Sequence, residues 1–347
     1  MIELQACIDK LTSEDEADRI YAAEDIGYAN RPEGVTPLLA RLPVEPSRAA
    51  REAMFSALAQ IEDDSVIDGA IGLLDSEDSF LRNQSVVILR GRGSRAVPYL
   101  ERAFREGDQD RRKFVLDVLA RLGDIDASGI YALALADEDI NVRITAVETL
   151  GMMRQTAFRK SIEAMIVPQA PPMLLGACIQ SLAYIGDAGS VAHVRSQLVE
   201  SQRLADYLEG SYIRLLGAQG DRNAMAEVAG FLGDSGLDSQ ILNALTSLRS
   251  RFRDAKIPQA LAQPLENILK AEVSPLLAYQ AVRLLGGLLE SDEVFDFMCG
   301  CLENLDKAIR IAAVQAFREA SSGRTEEILR QRMARETDDE VLQAMKR

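Results

Sequence analysis

Tryptophan is absent from this 347-residue sequence, histidine occurs once, and aromatic residues make up only 5% of it. The lone His193, in "SVAHVRSQL", has no neighbouring glutamate, so a Ser/His/Asp or multi-histidine metal site has almost nothing to draw on. Four cysteines (Cys7, Cys178, Cys299, Cys301) are scattered without a disulfide framework, which points to a reducing cytoplasm. Cys299-Gly-Cys301 is too short for the usual zinc pair and has no second half. Residues two apart on a helix do not face each other, so these thiols read as packing groups.

No apolar run reaches membrane-spanning length, so no membrane insertion is expected. The opening "MIELQACIDKLTSEDEADR" lacks the basic start and apolar core of a secretory signal. Positive charge is in deficit: the formal net charge is -15. Such a surface repels phosphate backbones and disfavours nucleic acid as a partner. Alternating strand patterns are also missing, and no glycine-rich loop stands between a strand and a helix. An enzyme is not expected, and neither is a cofactor.

What remains is rich in helix formers and repeats itself. "DEDINVRITAVETLG" (137–151) contains Asp139 and, four residues on, Arg143; the same spacing recurs as Asp15/Arg19, Asp78/Arg82, Asp108/Arg112 and Asp306/Arg310. Small or apolar residues follow each arginine at +3, +4 and +7, as in Ala146, Val147 and Leu150, which is the stripe of a helix buried along one face. Carried through the segments without the pair, the +7 register falls on Ile26, Leu58, Leu89, Leu119, Leu150, Leu182, Leu216, Leu245, Leu285 and Phe317. The mean step is about 32 residues, within the range of stacked helical repeats. A second, shorter apolar segment such as "GVTPLLARL" or "VFDFMCGCL" lies between anchors, so each period holds two helices.

"DEDINVRITAVETLG", with weaker copies in "DKAIRIAAVQAF" and "SEDSFLRNQSVVIL", resembles the second helix of HEAT repeats, in particular the short bacterial, phycobilisome lyase-like type. The resemblance covers essentially the whole chain. It implies an all-α fold: a right-handed α-solenoid of about ten stacked hairpins over residues 1–347, with a partial repeat at 336–347. It implies a concave surface lined by the second helix of each repeat. The iron enzymes built on such repeats use repeated His-Glu pairs, and the related DNA glycosylases are basic and use Trp; this chain has neither feature. The expectation is a non-enzymatic scaffold or adaptor for a protein partner. The alternative is a bilin lyase or chaperone-like factor for a chromophore protein.

The acid before the second helix is expected to cap it. Acid and arginine are also expected to pair between neighbouring repeats, each exposed pair adding only ~0–1 kcal/mol. Departures from the repeat mark candidate sites. The step from Leu245 to Leu285 carries an insertion around 246–265 with Arg249, Arg251 and Arg253, and Pro171-Pro172 starts a helix near Met173. Further basic groups stand out against the acidic background: Arg90, Arg92 and Arg95, Lys113 beside the Arg112 of the repeat, and Arg121 and Arg154. Arg92, Arg121 and Arg154 fall near the end of the second helix in three consecutive repeats, which predicts a short basic stripe. Tyr28 and Tyr184 share one register position and complete the candidate protein-binding residues.

Overall fold

The aspartate of each Asp-x-x-x-Arg segment closes an extended turn and opens a helix. In the computed structural model, which describes residues 3–123, 125–200, 204–233, 236–271 and 273–346, the N–H of Ala17 donates to Asp15 at 2.8 Å, and that of Phe80 to Asp78 at 2.8 Å. Asp108, Asp139 and Asp306 cap in the same way. Each such bond satisfies a helix N–H that has no intrahelical partner. The arginine folds back to the carbonyls just before the cap: Arg19 to Ser13 and Glu14, Arg143 to Asp137 and Glu138, Arg310 to Asn304 and Leu305. Acid and arginine therefore fix their own turn from opposite sides.

Met1–Met153 and Arg154–Arg347 form two compact units. The first holds the hairpins α1 (Leu4–Lys10) with α2 (Glu16–Ala29), α3 (Val35–Arg41) with α4 (Arg48–Gln60), α5 (Ser65–Gly72) with α6 (Ser79–Arg92), α7 (Val97–Glu106) with α8 (Gln109–Leu122), and α9 (Ser128–Leu135) with α10 (Ile140–Met152). The second holds α11 (Arg159–Ala164) with α12 (Pro172–Ile185), α13 (Ala188–Val194) with α14 (Asp206–Gln219), α15 (Ala224–Ala229) with α16 (Asp238–Arg251), α17 (Ala262–Lys270) with α18 (Pro275–Leu285), α19 (Asp292–Cys301) with α20 (Lys307–Ala320), and α21 (Gly323–Met333) with α22 (Asp339–Lys346). Within a unit, each even-numbered helix packs on the next even-numbered one, the arrangement of an α-solenoid. No strand occurs among the described residues.

The ten register anchors lie in the core, none more than 1% exposed. One expectation shifts. The last repeat is a full hairpin, because α21 precedes the segment in which a partial repeat was expected to begin; α21 buries only Thr325, so it has no apolar stripe to read. The residues of the insertion form the end of α16, a loop and a short 3-10 turn (Gln259–Leu261) leading into α17.

The inter-repeat pairing also differs from the expected one. Arg51 does meet Asp78 of the next cap, at 2.6 Å. Arg82 and Arg143 meet no carboxylate among the described residues, and the remaining three reach a different acid, two positions before the capping site. Arg19 grips Glu45 through Nε and Nη2, each at 2.9 Å; Arg112 meets Asp137 at 2.8 Å, and Arg310 meets Glu336 at 3.1 Å. These acids are buried rather than exposed, because the loop folds over them: the side chains of Glu45, Asp137 and Glu336 are 0%, 6% and 2% accessible. The estimate of ~0–1 kcal/mol for solvated pairs does not apply to them.

Spacing between even-numbered helices is set by small residues at one recurring place. A Cβ on Gly27 of α2 would sit 2.9 Å from the Cα of Ala57 in α4; on Gly217 of α14, 2.7 Å from the Cα of Ala244 in α16; on Gly286, just past α18, 2.5 Å from the Cβ of Ala316 in α20. Where the equivalent residues are Arg90 and Val118, α6 and α8 pack less extensively. Gly217→Val should therefore force α14 from α16 and cost about 1–3 kcal/mol, the usual penalty of overpacking. Thermal or urea unfolding would read this, and an unchanged midpoint would contradict the close approach.

Candidate ligand-binding surface

The cations singled out from the sequence lie on the even-numbered helices or in the segments just after them, and the structure sorts them into committed and uncommitted groups. Arg92 is committed. Its Nη2 donates to the carbonyls of Leu58, Ala59 and Ile61 at 3.0, 3.3 and 2.7 Å, closing the C-terminus of the neighbouring α4. Desolvation, then the nearby Arg95, push its guanidinium below the usual arginine range. Arg95 pairs with Asp64, which also accepts from the Tyr99 hydroxyl at 3.0 Å. Lys113 pairs with Asp110 at 2.9 Å, and that bond raises its pKa above the ordinary lysine value. Arg251 donates to the Gly217 carbonyl at 2.8 Å, closing α14 as Arg92 closes α4.

Arg90 and Arg121 are exposed, with no hydrogen-bond or ion-pair partner among the described residues. Arg154 is exposed too, but it belongs to the second unit and sits in the left-handed region at φ 56°. Tyr28 and Tyr184 are 74% and 44% exposed. The three arginines expected to form one stripe are therefore not equivalent, because Arg92 spends its donors on a helix end.

His193 is engaged as well: its Nε2 lies 2.9 Å from the Glu163 carbonyl. Burial pushes the Cys178 thiol up to about 12 and that of Cys301 up to about 11, which leaves both protonated and poor as ligands or nucleophiles at neutral pH. No cluster of three or more His, Cys, Asp or Glu suited to a metal ion occurs among the described residues, and none of their helices is long and apolar enough to cross a membrane.

In the second unit, Arg249 and Arg253 line a cleft of about 510 Å³ across α16, α18 and α20. Arg249 Nη1 holds the Ala255 carbonyl at 2.7 Å, which pins the loop after α16. Arg283 and Glu319, paired with each other, form the opposite side. Cross-helix bonds run along this face: Gln280 to Asn243 at 2.7 Å and Tyr279 to Gln315 at 3.0 Å. Sequence reading picked out Arg249 and Arg253 but missed Thr246, Arg283 and Glu319, which reach the cleft from turns of three helices far apart in the chain.

Residues 4–90 match the family model of HEAT repeats. No curated protein matches the chain. Among solved structures, the chain aligns over 99% of its length with 55% of a chain in the complex of Kap95p with RanGDP, at 12% identity and a TM-score of 0.51. That likeness is one of fold. An engineered protein aligns at 17% identity over 100% of this chain and 98% of its own, with a TM-score of 0.40. The CpcE–CpcF phycocyanin lyase of a Nostoc species aligns over 72% of this chain and 95% of its own, at 17% identity and a TM-score of 0.28.

Proposed function

We propose that the chain is a cytoplasmic, non-enzymatic scaffold or adaptor, residues 1–347 acting as one repeat array that binds a protein through the exposed faces of its even-numbered helices. The observation that carries this is the division of labour on those helices. One face is locked in the core by the ten anchors, while the other presents uncommitted cations and tyrosines at repeat spacing. Arg90, Arg121, Tyr28 and Tyr184 are the recognition groups on these helices, with Arg253 just past α16 and Arg154 just past α10 as further cations. A bilin lyase role gains nothing from a likeness at TM-score 0.28 and is not adopted.

Cross-linked capture from the native cell, followed by identification of the linked residues, tests the proposal. Cross-links should concentrate on the even-numbered helices. Arg90→Glu with Arg121→Glu should leave the fold intact, weaken capture at least about tenfold and flatten its salt dependence. Links confined to the odd-numbered helices would refute it, as would capture indifferent to the charge reversal and to salt.

A further inference from the structure

We propose that the cleft across α16, α18 and α20 is an oxyanion pocket, which receives a carboxylate or phosphoryl group carried on a side chain of the protein partner; in naming a partner, this rests on the scaffold reading. The geometry begins with two polar atoms that the protein leaves unsatisfied. Thr246 Oγ1 and Arg283 Nη1 are buried and have no hydrogen-bond partner among the described residues, although both residues line the cleft. Most buried donors in folded proteins are paired, so two orphaned atoms on residues that line one cavity mark a place where an acceptor belongs.

Charge gives the class of acceptor. Three arginines (Arg249, Arg253 and Arg283) face one carboxylate, Glu319, on a chain whose net charge is -15. Local positive charge of this kind runs against the overall field. Arg253 has no partner among the described residues, and the guanidinium fork suits carboxylate and phosphate alike. The Ser250 hydroxyl bonds the Ser247 carbonyl at 2.8 Å, so it is already in use.

Size leaves room for more than a bare ion. About 510 Å³ holds a side chain and its flanking backbone, whereas one water in the liquid takes roughly 30 Å³. Glu319 is the internal competitor: it takes Nη2 of Arg283 through an exposed carboxylate that an incoming oxyanion can displace.

Binding is measured calorimetrically on the full chain at low ionic strength, in a buffer free of oxyanions, with inorganic phosphate and glutarate as separate probes. At least one probe should bind saturably at one site. Preference for phosphate identifies a phosphorylated side chain as the source, and preference for glutarate an acidic one. Arg253→Gln should weaken binding about tenfold. Glu319→Gln should tighten it severalfold by removing the competitor. Thr246→Val should weaken binding while leaving the melting temperature unchanged or higher, since it deletes an unsatisfied hydroxyl. Absence of saturable binding by both probes, or affinities indifferent to Arg253→Gln and Glu319→Gln, overturns the pocket. Either result leaves the scaffold reading to be judged by the cross-linking pattern alone.

Discussion

Glu45→Ala is expected to destabilise the unit formed by residues 1–153 by about 3–5 kcal/mol, the usual cost of deleting one member of a buried ionic cluster. Glu45 is fully buried, and its carboxylate accepts from Arg19 twice, from Arg41 at 2.9 Å and from the N–H of Ser47 at 2.9 Å. Deleting it leaves the buried guanidinium of Arg19 with only backbone carbonyls to face. Glu52→Ala, which breaks the exposed Arg48–Glu52 pair, is the control and should cost less than about 0.5 kcal/mol.

Acid should erase the difference. Burial pushes the Glu45 carboxyl up, but the bonds from Arg19, the Ser47 N–H and Arg41 outweigh it and hold the group below the usual glutamate value. Its contribution is therefore complete above the unfolded carboxylate range, near pH ~4.3, and is lost as pH falls through the depressed folded value. Urea unfolding of the native chain and of Glu45→Gln at pH 7 and at pH 3 should show a wide gap that narrows in acid. A gap that stays constant would mean the carboxylate is not the ionised partner the geometry implies.

Leu150→Ala should cost about 2–5 kcal/mol, because Leu150 is fully buried and its removal leaves a cavity between α10 and its neighbours in the first unit. Arg143→Ala should cost only about 0.5–1.5 kcal/mol. That arginine holds two carbonyls of its own turn and has no carboxylate partner among the described residues. Denaturant titrations of the two variants decide the matter, and equal costs would show that face and core have been assigned wrongly.

The architecture was legible because burial repeats. A stripe at +3, +4 and +7 from one arginine recurs every thirty-odd residues, and each +7 residue is in the core. The capping role of the aspartates could be read for the same reason, being local. The true partners of Arg19 and Arg310 could not, since Glu45 and Glu336 each lie 26 residues downstream in loops of unlike sequence. Only the stacking of one hairpin on the next brings them into reach. The same blindness affected the candidate surface: nothing in the local sequence says that Arg92 serves α4 while Arg121 meets no partner among the described residues. Thr246 and Arg283 carry no motif at all; they matter because of what fails to bond them.

The close approach of Gly217 to Ala244 and of Gly286 to Ala316 has a bearing on how such a surface would evolve. Neither contact touches the cleft, yet the second sets the distance between α18 and α20, whose side chains line it, and the first sets where α16 sits on α14. Enlarging Gly286 by a methyl group would move Arg283 relative to Glu319 without altering either of them. Recognition geometry is then tuned by the volume of residues a ligand never meets. Specificity could drift through changes that a comparison of contact residues alone would score as silent.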